Sequence, residues 1–326
     1  MQKMKIKKWF RRIGLFLLSV FVLAVISGIV YEQIGRHQVK KYAASRAGNL
    51  VDVGGHKLYY EKKGAGDVTV VFESGAPGDH RAWRFLSDTI SKHATTITYD
   101  RAGLLWSDRG AHAKTAKNIS TDLDNLLAKI NAPKPYILVG HSAAGIYFRP
   151  FISDHQKDIQ GVVLIDPSHP NQISSAPEEI RKSMQPPFFP PKWVLSFVNE
   201  IGLPRLLTKD PLLFHSLKSG GAYDEIDYLM HDMQQEMLNS PSGTWSVPLV
   251  VISAGNQDSF SVKEELKKKI QDHWSSLQIE TSKLSSKGKR IVAEKSGHNM
   301  LYPERELITQ EILKMVHLQA DSLMVN

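Results

Sequence analysis

The stretch Tyr136–Pro150, "YILVGHSAAGIYFRP", is apolar for four residues, halts at Gly-His-Ser, and resumes as a small-residue segment able to open a helix. A serine hydroxyl is a weak nucleophile that must be presented beside a base. A sharp turn between a strand and a helix presents it, provided the residues two before and two after the serine are small. Here Gly140 and Ala144 flank Ser142 at those positions. Glycine is usual at both, and the Ala144 methyl still meets the steric requirement.

Short β-rich runs surround this stretch: a Gly-Gly hairpin over Leu50–Glu61, then Val68–Phe72, Thr95–Tyr99, Tyr136–Val139, Val162–Ile165, Leu249–Ile252 and Arg290–Ala293. Helix-length segments separate most of them; in Ile119–Ile130, Leu123, Leu126, Leu127 and Ile130 share one helical face. Strands alternating with helices predict an α/β fold, a mostly parallel sheet covered on both faces. Residues 167–247 break the rhythm with proline-rich turns ("QPPFFPPKW") and helical patterns over Trp193–Ile201 and Ala222–Leu238. An insertion of that length exceeds a connection, so a helical lid is expected there. Its apolar residues, Phe188, Phe189, Trp193, Leu195 and Phe197, point to an apolar acyl or aromatic substrate or to the lid's own packing core.

The net charge of +8 is unevenly placed: residues 1–48 carry ten Lys/Arg and one acid, and the rest 31 basic against 32 acidic residues. A nucleic-acid footprint would lie on the folded domain, so no nucleic-acid partner is expected. Ile13–Tyr31 has no charge, and its 19 residues span roughly 28 Å as a helix. The reading is a cytoplasmic basic segment 1–12, a transmembrane anchor 13–31, a polar stalk 32–48, a catalytic core over 49–166 and 248–326, and the lid over 167–247. Six Lys/Arg precede the apolar run, which places the domain on the extracytoplasmic side. Cleavage and secretion is the rival, although "VIS" before Gly28 fits a small-x-small site poorly. The chain has no cysteine, which excludes a thiol nucleophile and a Cys-based metal site.

Four further motifs occur in the order seen in the α/β-hydrolase family, which the chain resembles from about Leu50 to Leu318. "VDVGGHKLYYEKKG" is similar to its first two strands; "VVFESGAPGDHRAW" resembles the segment that supplies half of its oxyanion hole. "YDRAGLLWSD" resembles its "DRxGxGxSD" loop, with Leu105 in place of a glycine, and "KSGHNMLYPE" its histidine loop. The resemblance implies an α/β-hydrolase fold in which Ser142 is the nucleophile and His298 the general base and then acid. Main-chain N–H groups of Ala76 and Ala143 are the implied oxyanion donors. Asp100 is implied to be structural, pairing with Arg101 or nearby backbone.

Two carboxylates stand open as the residue that orients His298. Asp258, in "SAGNQDSF", follows the strand Leu249–Ile252; Asp166, in "VVLIDPSHP", follows Val162–Ile165. The expected activity is cofactor-independent and metal-independent hydrolysis of a small or apolar carboxylic ester through an acyl-enzyme. Lactone, amide and N-terminal peptide hydrolysis use the same residues. Epoxide hydrolysis in this fold normally begins with Asp rather than Ser. A noncatalytic membrane-tethered binding protein of the same fold is the alternative from another class.

Overall fold

A computed structural model describes residues 2–45, 49–184, 191–207, 220–240, 243–256 and 262–323. They belong to two compact units: Met1–Gly48 with Phe188–Gly220, and Asn49–Pro187 with Gly221–Asn326.

The larger unit is built on eight strands: β1 Leu50–Asp52, β2 Lys57–Lys63, β3 Thr69–Glu73, β4 Thr95–Tyr99, β5 Tyr136–His141, β6 Ile159–Ile165, β7 Leu249–Ala254 and β8 Gly288–Ala293. Their order is β1-β2-β4-β3-β5-β6-β7-β8. The first two pairings are antiparallel and the other five parallel. At the hairpin turn the Asp52 carboxylate accepts from the Gly54 and Gly55 amides at 2.8 and 2.9 Å. Both glycines have positive φ, +126° and +93°, a conformation that side chains resist.

Alternation along the strands sorts the core. Val71, Ile97, Leu138, Val162 and Val251 face one layer, with Leu123, Leu126 and Leu127 of α3 (Ala116–Lys129) and Phe148, Phe151 and Ile152 of α4 (Ala144–His155). Phe72, Ile137, Val139, Val163 and Ile252 face the other. There they meet Leu86 and Ile90 of α2 (Arg84–Ile90) and Ile308, Ile312 and Met315 of a C-terminal helix. This is the period of two expected of strands buried on both sides. Strand order reverses between β3 and β5, the kind of crevice at the carboxyl ends of strands where ligands bind in open α/β sheets.

Between β6 and β7, the described helices of this unit are α5 (Glu178–Met184), α8 (Gly221–His231) and α9 (Met233–Leu238). The helical pattern read over Ala222–Leu238 thus falls into two helices. After β7 come α10 (Glu264–Ser282) and, after β8, α11 (Arg305–Leu323).

The smaller unit contains α1 (Gln2–Ala44), α6 (Lys192–Glu200) and α7 (Leu203–Leu207). Helix α1 continues without a break to Ala44, into the segment read as a stalk. By length and composition it is able to cross a membrane: within Lys7–Gln38 an 18-residue window has a mean hydropathy of 2.8 and is not buried. Phe188 and Phe189 lie outside the described residues.

Candidate active site

The end of β5 delivers Ser142. Its backbone is left-handed, φ +54°, and its amide donates to the Ile165 carbonyl at 3.1 Å, so the β5–β6 ladder carries one residue past the strand end. Its carbonyl accepts from the Gly145 amide at 3.0 Å and the Ser168 amide at 2.7 Å. A serine in this backbone region is strained, and the bonds on both sides hold it there. The small flanking residues have a direct steric cause: a Cβ on Gly140 would lie 2.9 Å from the Phe148 ring, and one on Gly75 would lie 2.8 Å from the Ser142 Cβ.

The adjacent strand delivers Asp166 in the same manner, at φ +41° with its amide donating to the Ile252 carbonyl at 2.7 Å. The loop after β8 delivers His298. Its Nε2 lies 3.1 Å from the Ser142 Oγ and its Nδ1 lies 2.6 Å from the Asp166 Oδ2. The imidazole thus bridges the hydroxyl and the carboxylate. Asp258 lies outside the described residues.

The Asp166 carboxylate is 1% exposed. Burial alone pushes its pKa up, but hydrogen bonds from His298, the Ala254 amide (2.9 Å) and the Trp274 indole (2.8 Å) outweigh that and hold it below the ordinary carboxylate value. Beside it, the His141 Nε2–H donates to the His298 carbonyl at 2.9 Å. Burial, and then the neighbouring His298 ring, lower the His141 pKa to about 4, so this imidazole is neutral near pH 7.

Across the crevice, the Ser74–Gly78 loop is braced from behind by Arg101. Its guanidinium donates to the carbonyls of Ser74 (2.7 Å), Gly75 (3.1 Å) and Gly78 (3.3 Å). It is itself held by Glu73 and, bidentately at 2.8 Å, by Glu225 of α8. These carboxylates overcome the burial penalty and keep the guanidinium charged. Among the described residues, no hydrogen bond occupies the main-chain N–H of Ala76 or of Ala143. Asp100 does not pair with Arg101. It accepts instead from the His80 ring (2.7 Å), the His80 amide (2.9 Å) and the Trp106 amide (3.2 Å), because the Arg101 side chain is drawn to Glu73 and Glu225.

Asp79, His80 and Asp100 have ligand-type atoms within 4.8 Å of one another. Their chemistry does not suit a metal. Asp79 clamps Arg81 bidentately at 2.8 Å, and although burial disfavours the charged His80 ring, its bond to Asp100 raises its pKa. A cavity of about 830 Å³ lies elsewhere, along Arg149 and Ser153 of α4 and Lys283 and Leu284, and none of Ser142, Asp166 and His298 lines it.

Sequence reasoning missed Trp274 and Glu225 as members of this neighbourhood. Trp274 sits in a lysine-rich helix with little apolar periodicity, and Glu225 lies in the segment read as lid. Neither carries a local motif. Both are recognisable only once the chain brings α10 to Asp166 and α8 to Arg101.

The comparisons agree with this architecture. Residues 68–248 match the model of the alpha/beta hydrolase fold family. The protein YqjL of Bacillus subtilis strain 168 is 25% identical over 250 residues, covering 76% of this chain and 83% of that one. A thermophilic esterase from Thermogutta terrifontis superposes with a TM-score of 0.58 at 18% identity, covering 82% of this chain and 97% of that one. The epoxide hydrolase CorEH superposes with a TM-score of 0.61 at 16% identity, covering 82% and 96%. At those identities the two structures speak to the fold alone. With a family match across more than half of its length, an eight-stranded sheet of matching topology and a serine at the strand–helix elbow, this chain belongs to the α/β-hydrolase family.

Proposed function

We propose that the protein is a serine hydrolase acting on carboxylic esters through an acyl-enzyme. The observation that carries this reading is the His298 imidazole bridging Ser142 and Asp166 at 3.1 and 2.6 Å. With Asp166 ionised, Nδ1 carries the proton it donates to the carboxylate, and Nε2 is left to accept from the Ser142 hydroxyl. As Ser142 Oγ attacks the ester carbonyl, its proton passes to Nε2. The imidazolium so formed is stabilised by Asp166 and returns that proton to the leaving alkoxide. A water deprotonated at the same Nε2 then releases the acid and regenerates Ser142.

The unoccupied Ala76 and Ala143 amides, the first in the loop braced by Arg101, are the oxyanion donors of this reading, and one such donor is worth about 3 kcal/mol of barrier. The serine nucleophile favours ester, lactone or amide cleavage over epoxide opening. The bridging imidazole favours an enzyme over a noncatalytic binding protein of the same fold.

In the same proposal, residues 13–31 of α1 anchor the protein in a membrane, and the six basic residues before them keep that end cytoplasmic. Fluorophosphonate labelling of the full chain tests the chemistry. Labelling of the wild type, lost in Ser142→Ala and His298→Ala, is the expected result. A folded wild type that resists both bulky and small probes would overturn it.

A further inference from the structure

The smaller unit holds an apolar surface that its own packing does not use. Trp193 and Phe197 of α6 are 73% and 49% exposed, and Leu206 and Leu207 of α7 are 70% and 76% exposed. Trp193 and Phe197 are four residues apart and share a helical face; Leu203 and Leu207 are spaced likewise on α7. A cluster of this kind marks an interaction surface rather than a solvated one.

Where these helices are fastened identifies what covers them. The α6–α7 turn is seated on α1 between Gly28 and Arg36. A methyl group on Gly28 would run into the Ile201 carbonyl, and Gly202, at φ +69°, packs against Gly28, Tyr31 and Glu32. Arg205 pairs with Glu32 at 2.7 Å, and Arg36 with Glu200 at 2.5 Å. Gly28 to Arg36 is about 12 Å of helix. That interval straddles Tyr31, the last residue of the uncharged run, and Glu32, the first charge after it. By the composition of α1 alone, this is the depth at which a bilayer gives way to water.

The chemistry fits that depth. The Glu32 side chain is fully buried, and both Arg205 and Arg36 reach it. A carboxylate at a membrane boundary is tolerable when paired in this way. Tryptophan beside leucine and phenylalanine on short helices is the composition of elements lying in the headgroup region. Ile29, Val30 and Ile34 of α1, in the same stretch of that helix, are also exposed.

We propose that α6 and α7 form, with residues 28–36 of α1, a foot that enters the headgroup and upper acyl region of a lipid bilayer. This rests on the reading of α1 as a membrane anchor. Helices α6 and α7 are then held in the leaflet by lipid as well as by α1.

The chain has no cysteine, so one substitution creates a unique thiol for an environment-sensitive fluorophore. The full chain carrying Trp193→Cys, Leu206→Cys or, as the anchor reference, Leu18→Cys is labelled and placed in phosphatidylcholine vesicles. Some vesicles hold lipid brominated high on the acyl chain; aqueous iodide is the opposing quencher. We expect loss of emission to brominated lipid at all three positions and little loss to iodide. In a Gly28→Leu background, the labels at 193 and 206 should exchange lipid quenching for iodide quenching while the label at 18 does not. Lipid quenching at 18 with only iodide quenching at 193 and 206 in the wild-type background would overturn the foot and leave the anchor standing. No lipid quenching at 18 would overturn the anchor and the foot together. Unchanged lipid quenching at 193 and 206 in the Gly28→Leu background would overturn the seating on α1.

Discussion

Gly140 and Ala144 face each other across the turn that presents Ser142: a Cβ placed on Gly140 would lie 2.6 Å from the Ala144 Cβ. The elbow therefore has room for one methyl between these two positions, which is why the common glycine at 144 is dispensable here while Gly140 is not. Gly140→Ala is expected to destabilise the domain by about 2 kcal/mol, in the range of overpacking a dense core. Adding Ala144→Gly should recover part of that loss, the remainder belonging to the Phe148 ring. Urea unfolding of the two single variants and the double variant measures the coupling, and strictly additive effects would contradict the shared space.

The Asp166 environment predicts a graded series. Asp166→Asn should lower kcat by about 10⁴, as loss of the orienting carboxylate does in serine hydrolases. Trp274→Phe removes one of three hydrogen bonds to that carboxylate. It is expected to lower kcat by roughly fivefold, the scale of losing a supporting hydrogen bond of about 1 kcal/mol, with little change in KM. Asp258→Asn should leave kcat near wild type. Steady-state kinetics on a small chromogenic ester checks all three, and a collapse confined to Asp258→Asn would move the acid to the end of β7.

Arg101→Met leaves Glu73 and Glu225 buried without their cation. Breaking a buried pair in this way costs about 3–5 kcal/mol. The loop carrying Ala76 also loses the donors that fix the Ser74, Gly75 and Gly78 carbonyls. Glu225→Gln is milder, since the amide oxygen still accepts from the guanidinium. It should lower kcat more than it raises KM if, as proposed, the loop acts on charge that develops during reaction. Thermal unfolding and kinetics on the same preparation separate the two effects.

Two histidines predict an acid-labile fold. Burial lowers His141 to about 4, with His298 adding to it; burial also lowers His169 to about 4, with Arg149 adding to it. Both folded values lie below the unfolded value of about 6.5. On acidification the unfolded chain binds these protons first. The associated stability is complete above the unfolded value and is lost as pH falls toward the folded one, roughly 1–2 kcal/mol for each residue between about pH 7 and pH 5. Urea midpoints measured across that range should fall, and His169→Gln should flatten the decline. A midpoint independent of pH would contradict the burial assigned to both rings.

The parts of this molecule legible in its sequence are those governed by short-range rules. Short β-rich runs gave away β3 to β8, paired glycines marked the β1–β2 turn, and small residues around Ser142 marked the elbow. Helix α10 was not legible because only Ile270, Leu277 and two polar residues of its nineteen are buried, which leaves almost no periodic stripe. The contribution of Glu225 was hidden for another reason. It pairs with Arg101 across 124 residues of chain, and no local pattern encodes such a pairing. The choice between Asp166 and Asp258 was open because two adjacent parallel strands end within reach of one histidine loop. A carboxylate's place in three dimensions, and not its spacing in the chain, decides which one an imidazole meets.

The His298 side chain is 36% exposed and its Asp166 partner 1%. In the proposed acyl-enzyme, a second nucleophile is therefore expected to arrive on the exposed side of the imidazole. Small alcohols are expected to compete there with water for the acyl group, and the ratio of transesterified to hydrolysed product at rising alcohol content measures that competition.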